Sequence, residues 1–158
     1  MLYQKMMKVK KVLQAMAEKM SWVAPYFLDV ARIIFALMFI LIGSMALFGF
    51  PIAIFPGGSA PLFSWSWFIS IVEFAGGILV LFGFLTRPAA FLLAVEMVIA
   101  YVKVSAPRNI LPVLNGGQTT MLYFFFWTYL VLVGAGPISI DAIIRRWCKK
   151  KELTNNNQ

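Results

Sequence analysis

The sequence predicts an all-α integral membrane protein: a four-transmembrane-helix bundle with a basic amphipathic N-terminal helix and both termini cytoplasmic. Three observations predict it. Of 158 residues, 61% are hydrophobic and only 13% charged, far from the balance of an ordinary soluble domain. Mean hydropathy is +0.84. Four long apolar stretches are separated by Pro- and Gly-bearing connections.

A helix needs about 20 mostly apolar residues to cross the hydrocarbon core. The stretches fall at about 32–50, 65–85, 87–104 and 119–137. The first and last carry no charge in their cores, the second carries Glu73, and the third carries Glu96. The third reaches span length if Thr86 and Lys103 sit at the interfaces, with Lys103 snorkelling. Transmembrane β-strands alternate apolar and polar residues. These runs are apolar throughout, so helices fit and a barrel does not. Thr86-Arg87-Pro88 reads as a tight turn between the second and third spans.

Basic residues give the orientation. Lys5, Lys8, Lys10, Lys11, Lys19 and Arg32 precede the first span, and Arg87 lies between the second and third. Arg145, Arg146, Lys149, Lys150 and Lys151 follow the fourth. Only Lys103 and Arg108 fall on the opposite side. The positive-inside rule then places both termini in the cytoplasm. The net charge of +8 is accounted for by anionic lipid at that face, and no nucleic acid is implied.

Residues 1–28 form a basic amphipathic segment, 29–147 the membrane domain, and 148–158 a basic and polar cytoplasmic tail. Leu2, Met6, Val9, Leu13, Met16 and Met20 recur at alternating four- and three-residue steps, one face of a helix. A helix on the inner membrane surface is the direct reading, and a docking helix for a cytoplasmic partner is the sharper one. No cleavage site follows, so the segment is not read as a signal peptide.

With no His and one Cys, zinc fingers, His-based triads, Cys-ligated clusters and disulfide frameworks are excluded. No metal site and no intrinsic cofactor are expected. Cys148 reads as a reduced thiol in the tail.

Glu73 and Glu96 are the leading site candidates, because a carboxyl at mid-bilayer costs several kcal/mol. Along their helices they lie ~21 Å and ~13 Å from Arg87, near the midplane on adjacent antiparallel helices. A polar ligand or a water can bridge them. A purely structural reading is a Glu that hydrogen-bonds between helices. Tyr123 and Trp127 join the candidate site, with Glu73 or Glu96 as the expected acceptor for the Trp127 indole. Gly76, Gly77 and Gly83 share the Glu73 face and read chiefly as packing positions. Ala89, Ala100 and Lys103 share the Glu96 face. Arg32 reads as pairing locally with Asp29 or meeting a lipid head group.

The run from Glu73 through Gly76, Gly77, Gly83 and Arg87 to Ala90 resembles the DoxX family signature of the second and third helices. So does Asn115-Gly116-Gly117-Gln118 before the last span, and Gly134 to Asp141 is similar to the family's closing motif. The resemblance implies a four-helix membrane protein in a bacterial inner membrane. It implies accessory redox roles, linked to quinone, sulfur compounds or oxidative stress, with quinone as the candidate ligand. Partners would be membrane or cytoplasmic redox proteins, the lipid bilayer and a second copy of the chain. Relatives carry ionisable groups where this chain has Ala46, Ser105 and Gln118. Asp141 is expected to complement a helix dipole or pair with Arg145. A proton-coupled small-molecule carrier and a non-catalytic scaffold are the alternatives. No activated nucleophile or dinucleotide fingerprint supports a stand-alone enzyme.

Overall fold

The computed structural model describes residues 2–155, with side chains 2–5, 8 and 155 outside the description. Leu2, Lys5, Lys8 and the last residues of the tail therefore fall outside the described side chains. The described residues form helices and connections only. Helix α1 spans Leu2–Phe48, α2 Trp65–Phe82, α3 Thr86–Ala100, α4 Pro112–Asn115, α5 Gln118–Val133 and α6 Ile140–Asn155. A π-turn, Tyr101–Ser105, extends α3. Three helical segments are long and apolar enough to cross a membrane: Val9–Phe48, Trp65–Phe82 and Thr86–Ser105. Helix α5 is apolar but has 16 residues, short of the ~20 a full crossing needs.

The apolar surface is turned outward. Phe91 and Leu92 are each 57% exposed and Leu132 72%. In water such a surface would aggregate; against lipid it costs nothing. The interior gathers Phe39, Val80, Leu93, Trp127 and Leu130, and Asp29, Arg32, Glu73 and Glu96 are buried as well.

Four boundaries differ from the sequence reading. The first is at residue 28, where no break occurs: α1 runs on as one 47-residue helix, about 70 Å long at ~1.5 Å per residue. Pro25 lies inside it, and the helix stops only before Gly49, whose φ is 68°. The second is the turn before α3. It falls at Gly83–Leu85, and Thr86-Arg87-Pro88 open the helix instead, since Pro suits a first helical turn. Gly83 is left-handed at φ 65°. Its N–H bonds Val80 O, and that of Phe84 bonds Leu79 O, the paired closure of a Schellman motif. The third is the end of α5, at Val133 rather than 137. Gly134 and Gly136 take φ 90° and 81°, which no helix accommodates. The fourth is α3, whose last turn widens into the π-turn rather than continuing as α-helix.

Close backbone approach joins α1 to α2. A Cβ at Gly43 would lie 2.7 Å from Phe74 N, and one at Gly77 would lie 3.1 Å from Ala36 O. Small residues there let the helices touch, as membrane helices require.

Asp29 and Arg32 are each 1% exposed. Arg32 Nη1 donates to Val80 O and, at 2.7 Å, to Leu81 O. Its Nη2 donates to Ile138 O at 2.7 Å and to Asp29 Oδ1 at 3.3 Å. Asp29 Oδ2 accepts from Ile138 N at 3.0 Å. The expectation of a merely local pair or a lipid contact is therefore corrected. The guanidinium fills the open carbonyls at the end of α2, whose partial negative charge attracts a cation. A second correction concerns Asp141. Its oxygens accept from Leu85 N and Thr86 N, both at 3.0 Å, so it caps α3 rather than pairing with Arg145.

Removing one member of the buried pair strands the other. Arg32→Ala and Asp29→Ala should each cost about 3–5 kcal/mol. Arg32→Lys should recover little, because an ammonium lacks the planar fork. Thermal unfolding of the detergent-solubilised protein checks this; an Asp29→Ala protein that melts with the parent would refute the assignment.

Candidate functional site

The polar residues of three helices converge on one cavity of about 440 Å³. Helix α2 contributes Ser66, Ser70 and Glu73, spaced four and three residues apart. Helix α3 and its π-turn contribute Glu96, Ala100 and Lys103, again at four- and three-residue steps. Such spacing stacks side chains on one helix face. Helix α5 adds Thr119, Thr120 and Tyr123, while Phe39, Ile69 and Met97 supply apolar walls. A larger, more open hollow of about 720 Å³ lies along α6 between Arg146 and Thr154. It is lined by α6 alone and holds no buried polar group, so it is not the better candidate.

Glu73 and Glu96 are 9% and 6% exposed and lie close enough to interact. Glu96 Oε2 is buried with no hydrogen-bond partner in the chain. A buried oxygen left unpaired costs about 1–3 kcal/mol, and a donor placed beside it would relieve that cost. Ser70 Oγ donates to Ser66 O at 2.8 Å and is committed to its own helix. Tyr123 Oη lies 3.6 Å from Met38 Sδ, a weak acceptor. The Tyr123 ring packs edge-on against Phe35 and Phe39. Lys103 Nζ sits 3.9 Å from the Trp65 ring centroid. It makes a cation–π contact there and borders the cavity.

Among the candidates, the structure brings together Glu73, Glu96 and Tyr123. Trp127 is not with them. It is fully buried, stacked edge-on with Phe39 at 4.9 Å, and its Nε1 has no partner. The expected bond to Glu73 or Glu96 is absent, because Trp127 lies one helical turn past Tyr123 and is enclosed by aromatic rings.

The motif residues lie outside the cavity and serve the backbone. Gly76 lies against Leu93, and Gly77 admits α1. Gly83 and Asp141 organise the α2–α3 turn. Arg87 is exposed and donates to Leu132 O at 3.4 Å. Asn115 donates to Asn109 O at 2.6 Å and to Tyr101 Oη at 3.2 Å, and its Oδ1 accepts from Gly117 N. Gly116 beside it takes φ 74°. The sequence reading missed Ser66, Ser70, Thr119 and Thr120 as wall residues. Their signal was the four- and three-residue register with Glu73 and with Tyr123. Among the described residues no group of His, Cys, Asp and Glu could hold a metal ion.

An apolar carbodiimide tests this placement, since it reaches carboxyls inside the hydrocarbon. Labelling of intact membranes should map by mass spectrometry to Glu73 or Glu96 and spare Glu18 and Glu152. Glu73→Gln with Glu96→Gln should abolish it. Equal labelling of Glu18 would refute an enclosed, lipid-accessible carboxyl pair.

Residues 27–106 match the DoxX family model. The chain is also 39% identical over 120 residues to an uncharacterized protein of Haemophilus influenzae, covering 74% of this chain and 90% of the relative. No solved structure matches it. The family match takes in α1 from Phe27, all of α2 and α3, and both carboxyls of the cavity; the chain is a membrane protein of the DoxX family.

Proposed function

We propose that this protein is an accessory subunit of a membrane redox complex, and that its cavity holds the polar head of a quinone or quinol. The bundle would cross a bacterial inner membrane four times with both termini cytoplasmic, α5 completing its crossing with the flanking apolar residues. The observation that carries the reading is the pair of carboxyls, Glu73 and Glu96, facing one apolar-walled cavity with a buried oxygen left unpartnered.

The residues fit such a head group. Glu96 Oε2 offers an acceptor for a ligand hydroxyl. Tyr123 Oη, held only by a thioether, can turn its proton toward a ligand carbonyl. Phe39, Ile69 and Met97 exclude water, which strengthens every polar contact inside. Glu73, beside Glu96, can take or return a proton to it. A bound quinone would supply two-electron redox chemistry that no side chain here provides. The same carboxyl pair favours a second reading, a proton-coupled carrier of a small molecule.

Purification from native membranes in mild detergent, followed by mass spectrometry of proteins and extracted quinones, tests the proposal. A stoichiometric redox partner or bound quinone is expected, with the quinone lost in Glu96→Gln. A preparation carrying phospholipid alone would overturn the redox reading. Uptake into proteoliposomes that disappears in Glu73→Gln would then establish the carrier.

A further inference from the structure

Among the described side chains, those of residues 6–27 of α1 are all exposed. Its apolar stripe runs Met6, Val9, Leu13, Met16 and Met20, then keeps the same step through Val23 and Phe27; each is more than half exposed. The step alternates three and four without a slip. It continues into the membrane zone at Val30, Ile34, Leu37 and Leu41, which are 45–53% exposed on the side away from α2. We infer that α1 pairs with α1 of a second copy, as a parallel two-stranded coiled coil running from the N-terminal arm into the membrane.

Three features select this occupant. The first is the period. A strict seven-residue repeat, 3.5 residues per turn, keeps its seam only against a helix that supercoils with it. A membrane surface takes a broader face at period 3.6. The second is the rigid continuity of α1. Residues 6–27 add ~30 Å of helix, and α1 carries the seam from them into the apolar half without a break. The third is the flanking chemistry. A parallel pair sets Val12 beside Ala17, Lys19 beside Ala24 and Tyr26 beside Ala31 of the other copy. The same spacing pairs positions 5 and 10, both lysines in the sequence, so like charges are opposed at the first turn of the seam, and the Lys19 stem can cover apolar surface. A partner that matched the arm alone would leave the membrane half of the seam unmatched. A second copy related by a two-fold axis along the membrane normal matches both halves at once. The inference does not depend on what the cavity binds.

Cysteine cross-linking of the full chain in native membranes tests it. The free Cys148 is exposed and is first removed as Cys148→Ser. Leu13→Cys or Met16→Cys, on the seam, should then convert most of the chain to a disulfide-linked dimer under mild oxidation. Lys11→Cys and Glu18→Cys, on the outer face, should give several-fold less. Equal yields at both faces, no dimer at either, or an adduct with a different protein would each overturn the pairing. The paired substitutions Leu13→Glu and Met20→Glu provide a second measurement. They should halve the mass of the protein in mild detergent while leaving its helix content unchanged. An unchanged mass would also overturn the pairing.

Discussion

Everything near the Arg87 end of the bundle depends on one buried guanidinium. Arg32 sits in the wall of α1 where lipid and protein leave no water. An isolated cation there would be prohibitive. It persists because four of its five donors find acceptors, Asp29 and the carbonyls of Val80, Leu81 and Ile138, leaving only Nε without one. The carbonyls of Leu81 and Ile138 lie at a helix end and in a loop, where such groups need an outside donor, while Val80 O also accepts from Gly83 N. One side chain thereby ties α1 to the end of α2 and to the segment before α6. Gly136 is part of the same arrangement. A Cβ there would lie 2.5 Å from Asp29 Oδ1, so only glycine lets the loop approach the carboxylate. Asp141 carries the constraint onward by capping α3. The α2–α3 hairpin, and with it the relative placement of Glu73 and Glu96, follows from this end.

Packing in the rest of the bundle divides by residue size. Where Gly43 and Gly77 stand, α1 and α2 meet at backbone contact. Toward the other end of α2, Ser66 and Ser70 present small polar side chains instead, and the space between helices opens into the cavity. Its polar lining costs stability, since burial among apolar walls removes these groups from water without full compensation. The orphaned oxygen of Glu96 records that cost directly. Structural carboxyls that hold membrane helices together normally find a donor on a neighbour; Glu96 Oε2 has none, while the carboxyl as a whole interacts with Glu73. The unpartnered oxygen is why the carboxyl pair rather than the aromatic cluster carries the proposed function. The π-turn after α3 widens the helix where Lys103 meets Trp65, a local irregularity of the kind often found beside functional sites.

The sequence by itself determined the helical class, the membrane setting and the family. These follow from composition and from runs of apolar residues, which act locally along the chain. The two carboxyls and Tyr123 were legible for the same reason: a charge or hydroxyl inside an apolar run stands out wherever the helices pack. The wall residues Ser66, Ser70, Thr119 and Thr120 were not, because a weakly polar side chain is tolerated facing lipid or protein alike.

Only the tertiary structure decided the partners. Asp29 and Arg32, three residues apart, looked like a local pair, yet most of the arginine's donors reach carbonyls about 50 and 106 residues away. Asp141 lies in the first turn of its own helix, as read, and its oxygens also cap another. Trp127 looked like a donor to the carboxyls and is turned away among rings. The length of α1 was likewise invisible, because a single proline weakens a helix without specifying whether it ends. In each case the sequence specifies which groups need partners, while the choice among distant ones depends on which backbones the small residues allow to meet.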